Sequence, residues 1–130
     1  MREHMGLYHG KRKDNGEWVE GSLIVFPHSG RMMIFNHSDL TFYKVDPATV
    51  GECTGLPDKN GKLIFEGDIC RACLNPEICT AVVEYRNDIA SFVLTCDKDT
   101  MLLPIDMMVA KNSVGDAVWV EIIGNIHDNK

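Results

Sequence analysis

Five cysteines are the residues best suited to chemistry in this chain: Cys53, Cys70, Cys73, Cys79 and Cys96. Cys70-Arg71-Ala72-Cys73 has the two-residue spacing of a zinc knuckle, and Cys79 and Cys96 could complete a set. Zinc needs four thiolate or imidazole ligands in a tetrahedron. Here no second Cys-x-x-Cys occurs, and Cys96 stands far from the rest. Cys70 also sits where a strand should begin, and a regular strand would point Cys70 and Cys73 to opposite faces. The spacing therefore argues against a metal, and no cofactor is expected. A redox dithiol at Cys70 and Cys73 is disfavoured too, because no helix N-terminus follows to lower a thiol pKa. An odd cysteine count without a secretion signal argues for free thiols rather than a disulfide framework.

The other candidate groups are scattered. His4, His9, His28, His37 and His127 each adjoin a turn or a terminus and read as solvated loop histidines. His28, Ser29 and Asp39 contain the ingredients of a nucleophilic triad, but no Gly-x-Ser-x-Gly elbow presents them. Glu66 and Asp68 flank Gly67 and could bind a cation or exchange protons. A short carboxylate capping a bend is the better reading of Asp68. The glycines form neither a Walker loop nor a Gly-x-Gly-x-x-Gly run. No catalytic residue is assigned; an enzyme is not expected, and one with an unrecognised site is kept as the last alternative.

The elements that must position these groups are short and extended. Apolar segments are rich in β-branched and aromatic residues and bounded by Gly, Pro, Asn or Asp, which is strand punctuation. Asp14-Asn15-Gly16 turns the chain within the module Leu7 to Phe26. Trp18 to Phe26 reads as a strand in which Gly21 marks a bulge or a close backbone approach. Arg31 to Asn36 and Leu40 to Val45 return as further strands. Asp46-Pro47 begins a turn, and Val50 to Leu56 is a short extended segment. Asp58-Lys59-Asn60-Gly61 is a strong reverse turn. Lys62 to Glu66 follows, and Gly67-Asp68 bends the chain into a strand at Cys70. Thr80 to Tyr85 and Ile89 to Thr95 make a hairpin turned at Asn87-Asp88. One short helix is read within Leu103 to Gly115, and Val118 to Ile126 is a final strand with a break at Gly124. Trp18 and Trp119 are expected to anchor the core, and one methionine of each pair, Met32-Met33 and Met107-Met108, to lie in it. About nine short strands imply an all-β fold: a hairpin-built barrel or sandwich with at most one or two short helices.

The chain has 130 residues, 45% of them hydrophobic and 25% charged, which suits a packed domain. The expected organisation is a single domain over 1–130, divisible into an N-terminal β part (1–57) and an SH3-like β part (58–130). The net charge of −6 opposes binding to a phosphate backbone unless cations cluster. Lys11-Arg12-Lys13 is the one such run, and Asp14 follows it. Nucleic acid is thus disfavoured as a partner. It is retained as an alternative because Phe65 to Tyr85 has the look of a small SH3-like barrel and Lys11, Arg12, Lys13, Arg71 and Arg86 could form a stripe. No apolar run is long enough to cross a bilayer and no apolar leader follows Met1, so a cytoplasmic protein is expected.

Several segments together resemble the YopX family of phage and prophage proteins. They are Gly10-Lys11-Arg12, the run Asp14 to Gly21 with Gly16 and Trp18, Asp46-Pro47 with Thr49-Val50-Gly51, and Thr54-Gly55-Leu56. Asp58 to Lys62 with Gly61, Phe65 to Ile69 with Gly67 and Asp68, and Ile123 to Asn129 with Gly124 and Asn125 complete the series. They fall in the family's order and span nearly the whole chain. The resemblance implies a mostly β fold and residence in the cytoplasm of a bacterial host. It brings no catalytic residue, cofactor or substrate with it. Cys53 and Cys70 stand where the family more often has aromatic and aliphatic residues, and Pro57 where it has a polar one. That implies buried thiols behaving as small hydrophobes. The function expected on these grounds is that of an accessory protein acting through contacts with a protein partner or with its own copies.

Overall fold

A computed structural model describes residues 6–74, 77–96, 102–104 and 118–128. The described residues are almost entirely strand and turn, as the punctuation by glycine and asparagine requires. Two compact units divide the chain, Met1–Cys53 and Thr54–Lys130.

Unit 1 is a chain of hairpins. Strands β1 (Leu7–Lys11), β2 (Trp18–Val25), β3 (Met32–Asn36) and β4 (Thr41–Val45) lie in the order β4-β3-β2-β1. The start of β5 (Gly51–Pro57) pairs with β1 through Tyr8–Glu52 and His9–Gly51. All pairings are antiparallel. A single 3-10 turn, Pro47–Thr49, is capped by Asp46, whose carboxylate accepts from Ala48 N. Thr49 is buried and holds the turn in place: its hydroxyl accepts from Lys11 N and donates to Asp46 O.

The alternation of strand side chains divides the unit 1 residues between two faces. One face forms the core of Val19, Ile34 and Val45, with Tyr8, Leu23, Met32, Tyr43 and Val50 packed on it. Gly21 lies on this face, where the backbone of Phe35 crosses so closely that a Cβ would stand 1.8 Å from its carbonyl oxygen. The sheet also curls. Lys13 N donates to Lys44 O, Asp46 N donates to Lys11 O, and Arg12 bridges Val45, so the end of β1 runs on to the end of β4.

Unit 2 is a five-stranded antiparallel sheet in the order β10-β9-β8-β7-β11. Its strands are β7 (Asp68–Leu74), β8 (Glu77–Arg86), β9 (Ser91–Cys96), β10 (Leu102–Pro104) and β11 (Val118–Asn125). Strand β6 (Leu63–Phe65) lies beside the second half of β5, where Thr54 Oγ1 donates to Ile64 O. The core joins Ile64, Cys70, Ala72, Ala81, Val83, Leu94, Cys96 and Val120. The register of β11 on β7 shifts between Ile122 and Gly124, which is the break expected at Gly124.

The all-β class holds, but the sheets do not close into a barrel. The helix expected within Leu103 to Gly115 falls outside the described residues, apart from Leu103 and Pro104, which belong to β10. Two expected strand starts move into turns. Asn36 pairs with Thr41 and Arg86 with Ser91, so Leu40 and Ala90 close tight turns at positive φ of 59° and 51°. Leu40 and Ile89 look like strand residues by type, and hairpin geometry overrides that preference. Trp18 is also displaced from the core, since Val19 points inward and its neighbour must point outward.

Candidate interaction surface

The signature residues of unit 2 form a buried polar frame. Asp58, in the turn after β5, accepts hydrogen bonds from Asn60 N, Lys62 N and Ile122 N. It thereby pins the turn to β11. Asp68 accepts from Phe65 N through one oxygen and from Asn125 Nδ2 through the other. Asn125 Oδ1 in turn accepts from His127 N, and Gly67 N donates to Val83 O. Burial raises the pKa of Asp68, and these two bonds oppose the rise without cancelling it. Gly55, Gly61 and Gly67 adopt φ of 82°, 86° and 94°, and Gly16 of unit 1 adopts 74°. Only glycine reaches that region at low cost. Asp58 and Asp68 are turn caps, and the Asp68–Glu66 pair makes no convergent site: Asp68 is committed to Phe65 and Asn125.

The cysteines divide by face. Cys70 and Cys73 lie on opposite faces of β7, as strand alternation requires. Cys70 is buried in the core, and burial, with the charges of Asp68 and Asp58, pushes its thiol up to about 12. That thiol stays protonated at neutral pH and is a poor metal ligand and nucleophile. Among the described residues, no three His, Cys, Asp or Glu side chains gather as a metal site. Cys79 and Cys96 do meet, with sulfurs 2.8 Å apart. The remaining groups are not brought together. Ser29 Oγ accepts from Arg31, while Asp39 accepts from Thr41 N and from the Tyr43 hydroxyl. His9, expected in a solvated loop, is buried on β1 with its ring 4.3 Å from that of Trp18. The strand continues through residues whose neighbours looked like a turn.

Among the described residues, one surface that departs from ordinary chemistry is the second face of the unit 1 sheet. An antiparallel sheet with one packed face usually carries polar residues on the other. Here the cross-strand row Phe42–Phe35–Ser22 runs beside the row Lys44–Met33–Ile24. The Phe35 and Phe42 rings stand 4.7 Å apart, and His37 meets Phe35 edge-on at 5.0 Å while sharing a 2.8 Å hydrogen bond with Ser22. Phe42 is 56% exposed and the adjoining Leu40 71%. A cleft of about 470 Å³ borders the row, lined by Arg12, Lys13, Asp14, Met33, Phe42, Tyr43 and Lys44. Arg12 lies over the Tyr43 ring at 4.3 Å and donates to both carboxylate oxygens of Asp14 through Nε and Nη2. Outer-edge backbone of β4 is engaged at Lys44 and Val45. Its first residues, Thr41 to Tyr43, have no strand on that side among the described residues.

The sequence matches the profile of the YopX protein family over residues 7–130, nearly its whole length. The chain belongs to the YopX family. A search of curated proteins returned no match. YopX membership fits the positions of the signature residues, most of which the fold uses in turns and in the polar frame around Asp58 and Asp68. The signature thus accounts for the YopX fold of unit 2 more than for any surface. No sequence motif marks Phe35, Phe42 and Leu40. The signal available was two phenylalanines, in Ile34-Phe35-Asn36 and Thr41-Phe42-Tyr43, falling out of phase with the buried Ile34 and Val45.

Proposed function

We propose that this YopX protein is a binding module encoded by phages or prophages, working by protein contact in the bacterial cytoplasm rather than by catalysis. The observation that supports it is the apolar second face of the unit 1 sheet, centred on Phe42 and Phe35. Exposed apolar rows of this kind, rimmed by polar groups, mark contact surfaces. The short open edge at Thr41 to Tyr43 would let an extended segment of the partner add a strand, with Phe42 and Leu40 gripping its side chains. No helix among the described residues is long and apolar enough to cross a membrane. A photo-crosslinking side chain placed at position 42 in lysogenic or infected bacteria tests the reading. A discrete protein adduct, lost when Leu40→Gly and Met33→Lys are added, is the expected result. No adduct at 42 above that of a crosslinker at the exposed Glu84 would overturn it.

One observation favours a second reading, binding of single-stranded nucleic acid. Trp18, Phe35, Phe42, Lys11 and Lys44 share the same sheet face, and Lys11 lies 5.7 Å from the Trp18 ring. Aromatic platforms flanked by cations stack bases. The net charge of −6 opposes it. Oligonucleotide binding that weakens steeply with salt and is lost in Phe42→Ala would favour this reading over the first.

A further inference from the structure

Among the five thiols, the fold selects one pair. The β8–β9 register sets Ala81 opposite Cys96. Cys79 lies two residues before Ala81, so it shares a face with Cys96 and is its diagonal neighbour. Their sulfurs are 2.8 Å apart. A disulfide bond is about 2.05 Å long, so roughly 0.8 Å of approach would close one. Cys96 is buried in the unit 2 core, and Cys79 packs at its margin, partly buried. Cys70 lies on the same face but across Ala81 from Cys96, so that alanine stands between them. Cys73 points the other way.

We infer that Cys79 and Cys96 form a dithiol–disulfide couple, a site of reversible oxidation by peroxide. The Cys79 sulfur, the less buried of the two, attacks one oxygen of hydrogen peroxide as its thiolate and becomes a sulfenic acid, and the leaving hydroxide takes up the thiol proton as water. The Cys96 sulfur then attacks Cys79 Sγ, forming the S–S bond. Its proton leaves with the departing hydroxyl as a second water. Two electrons pass from the thiols to the peroxide. The new bond ties the end of β9 to β8, well away from the hairpin turn. It closes the chain between them and so restricts the unfolded state. The inference does not depend on the contact surface of unit 1.

The test uses the full chain, reduced, desalted and treated with hydrogen peroxide, then alkylated under denaturing conditions and analysed by mass spectrometry. The expected product is a monomer lighter by two hydrogens, with Cys53, Cys70 and Cys73 alkylated and a peptide linking Cys79 to Cys96. Its Tm should rise by about 10 °C and fall back with dithiothreitol. Cys79→Ala should show neither change, and Cys79→Ser repeats the test at different polarity. Five alkylated cysteines after treatment, a bond between another pair, or oxidation of Cys79 to sulfinic acid with Cys96 still alkylated would overturn the inference.

Discussion

Units 1 and 2 are built from the same antiparallel hairpins, yet among the described residues only unit 2 buries carboxylates. Unit 2 buries two carboxylates, Asp58 and Asp68, each accepting backbone or amide hydrogens. The second face of its sheet is mixed: Arg71, Thr80, Glu84, Thr95 and Glu121 stand among Ile78, Val82, Val93 and Trp119, with Thr95 bonded to Glu84. Unit 1 has a smaller core and carries Phe35, Phe42, Met33 and Ile24 on its second face. Charge follows the same division: unit 1 has six basic and seven acidic residues, unit 2 seven and twelve. The contrast teaches that most signature residues lie away from the centre of the candidate contact surface at Phe35 and Phe42, although Trp18 and Lys11 share its sheet face. The signature residues of unit 2 hold that unit together, and the contact surface is left outward by unit 1.

The comparison breaks most visibly at the polar frame. Asp58→Ala should lower stability by about 3 kcal/mol or more, because it strands Asn60 N, Lys62 N and Ile122 N. Hydrogen exchange should show the loss of protection centred on unit 2. Loss centred on unit 1 would contradict the assignment of Asp58 to that frame. Gly21→Ala is the unit 1 counterpart. The added Cβ meets the Phe35 backbone, and urea unfolding should register a loss of about 3 kcal/mol.

Smaller effects sharpen the contrast. Leu40→Gly and Ala90→Gly occupy equivalent turns of the two units, and both relieve a positive φ. Each should stabilise by about 0.5–1 kcal/mol in thermal melts. Only Leu40→Gly should also weaken partner capture, because only Leu40 adjoins the apolar face. The pH dependence of Asp68 gives the smallest effect. Its pKa is raised in the folded state, so its contribution is full below the ordinary carboxylate range and declines as pH rises above it. The stability of the wild type relative to Asp68→Asn should therefore fall with rising pH in urea titrations. An increase would mean that the hydrogen bonds from Phe65 and Asn125 outweigh burial.

Much of this was legible in the sequence. Asp58-Lys59-Asn60-Gly61 and Gly67-Asp68 declare their turns by residue type, because few residues other than glycine take positive φ cheaply. Gly21 reads as a bulge or a close approach, and the fold uses the close approach; strand alternation puts Cys70 and Cys73 on opposite faces. What could not be read depends on register. Cys79 and Cys96 meet only because Ala81 pairs with Cys96. Phe35 and Phe42 align only because the turn at His37 to Leu40 ends on a leucine at positive φ. Trp18 looked like a core anchor because aromatic type carries no information about which face of a strand it occupies. Register settles that, and it is fixed by pairing across strands distant in sequence.

The most direct measurement compares two lysine substitutions at matched exposure, one in each unit: Phe42→Lys at 56% and Ile78→Lys at 57%. Each variant and the wild type would be used to recover the partner crosslinked in lysogenic or infected cells, with melting temperatures measured alongside. The account predicts that Phe42→Lys loses the partner at least tenfold, about 1.4 kcal/mol of binding, while melting like the wild type, and that Ile78→Lys retains it. Retention by Phe42→Lys with loss in Ile78→Lys would place the contact surface on unit 2 and contradict the central claim.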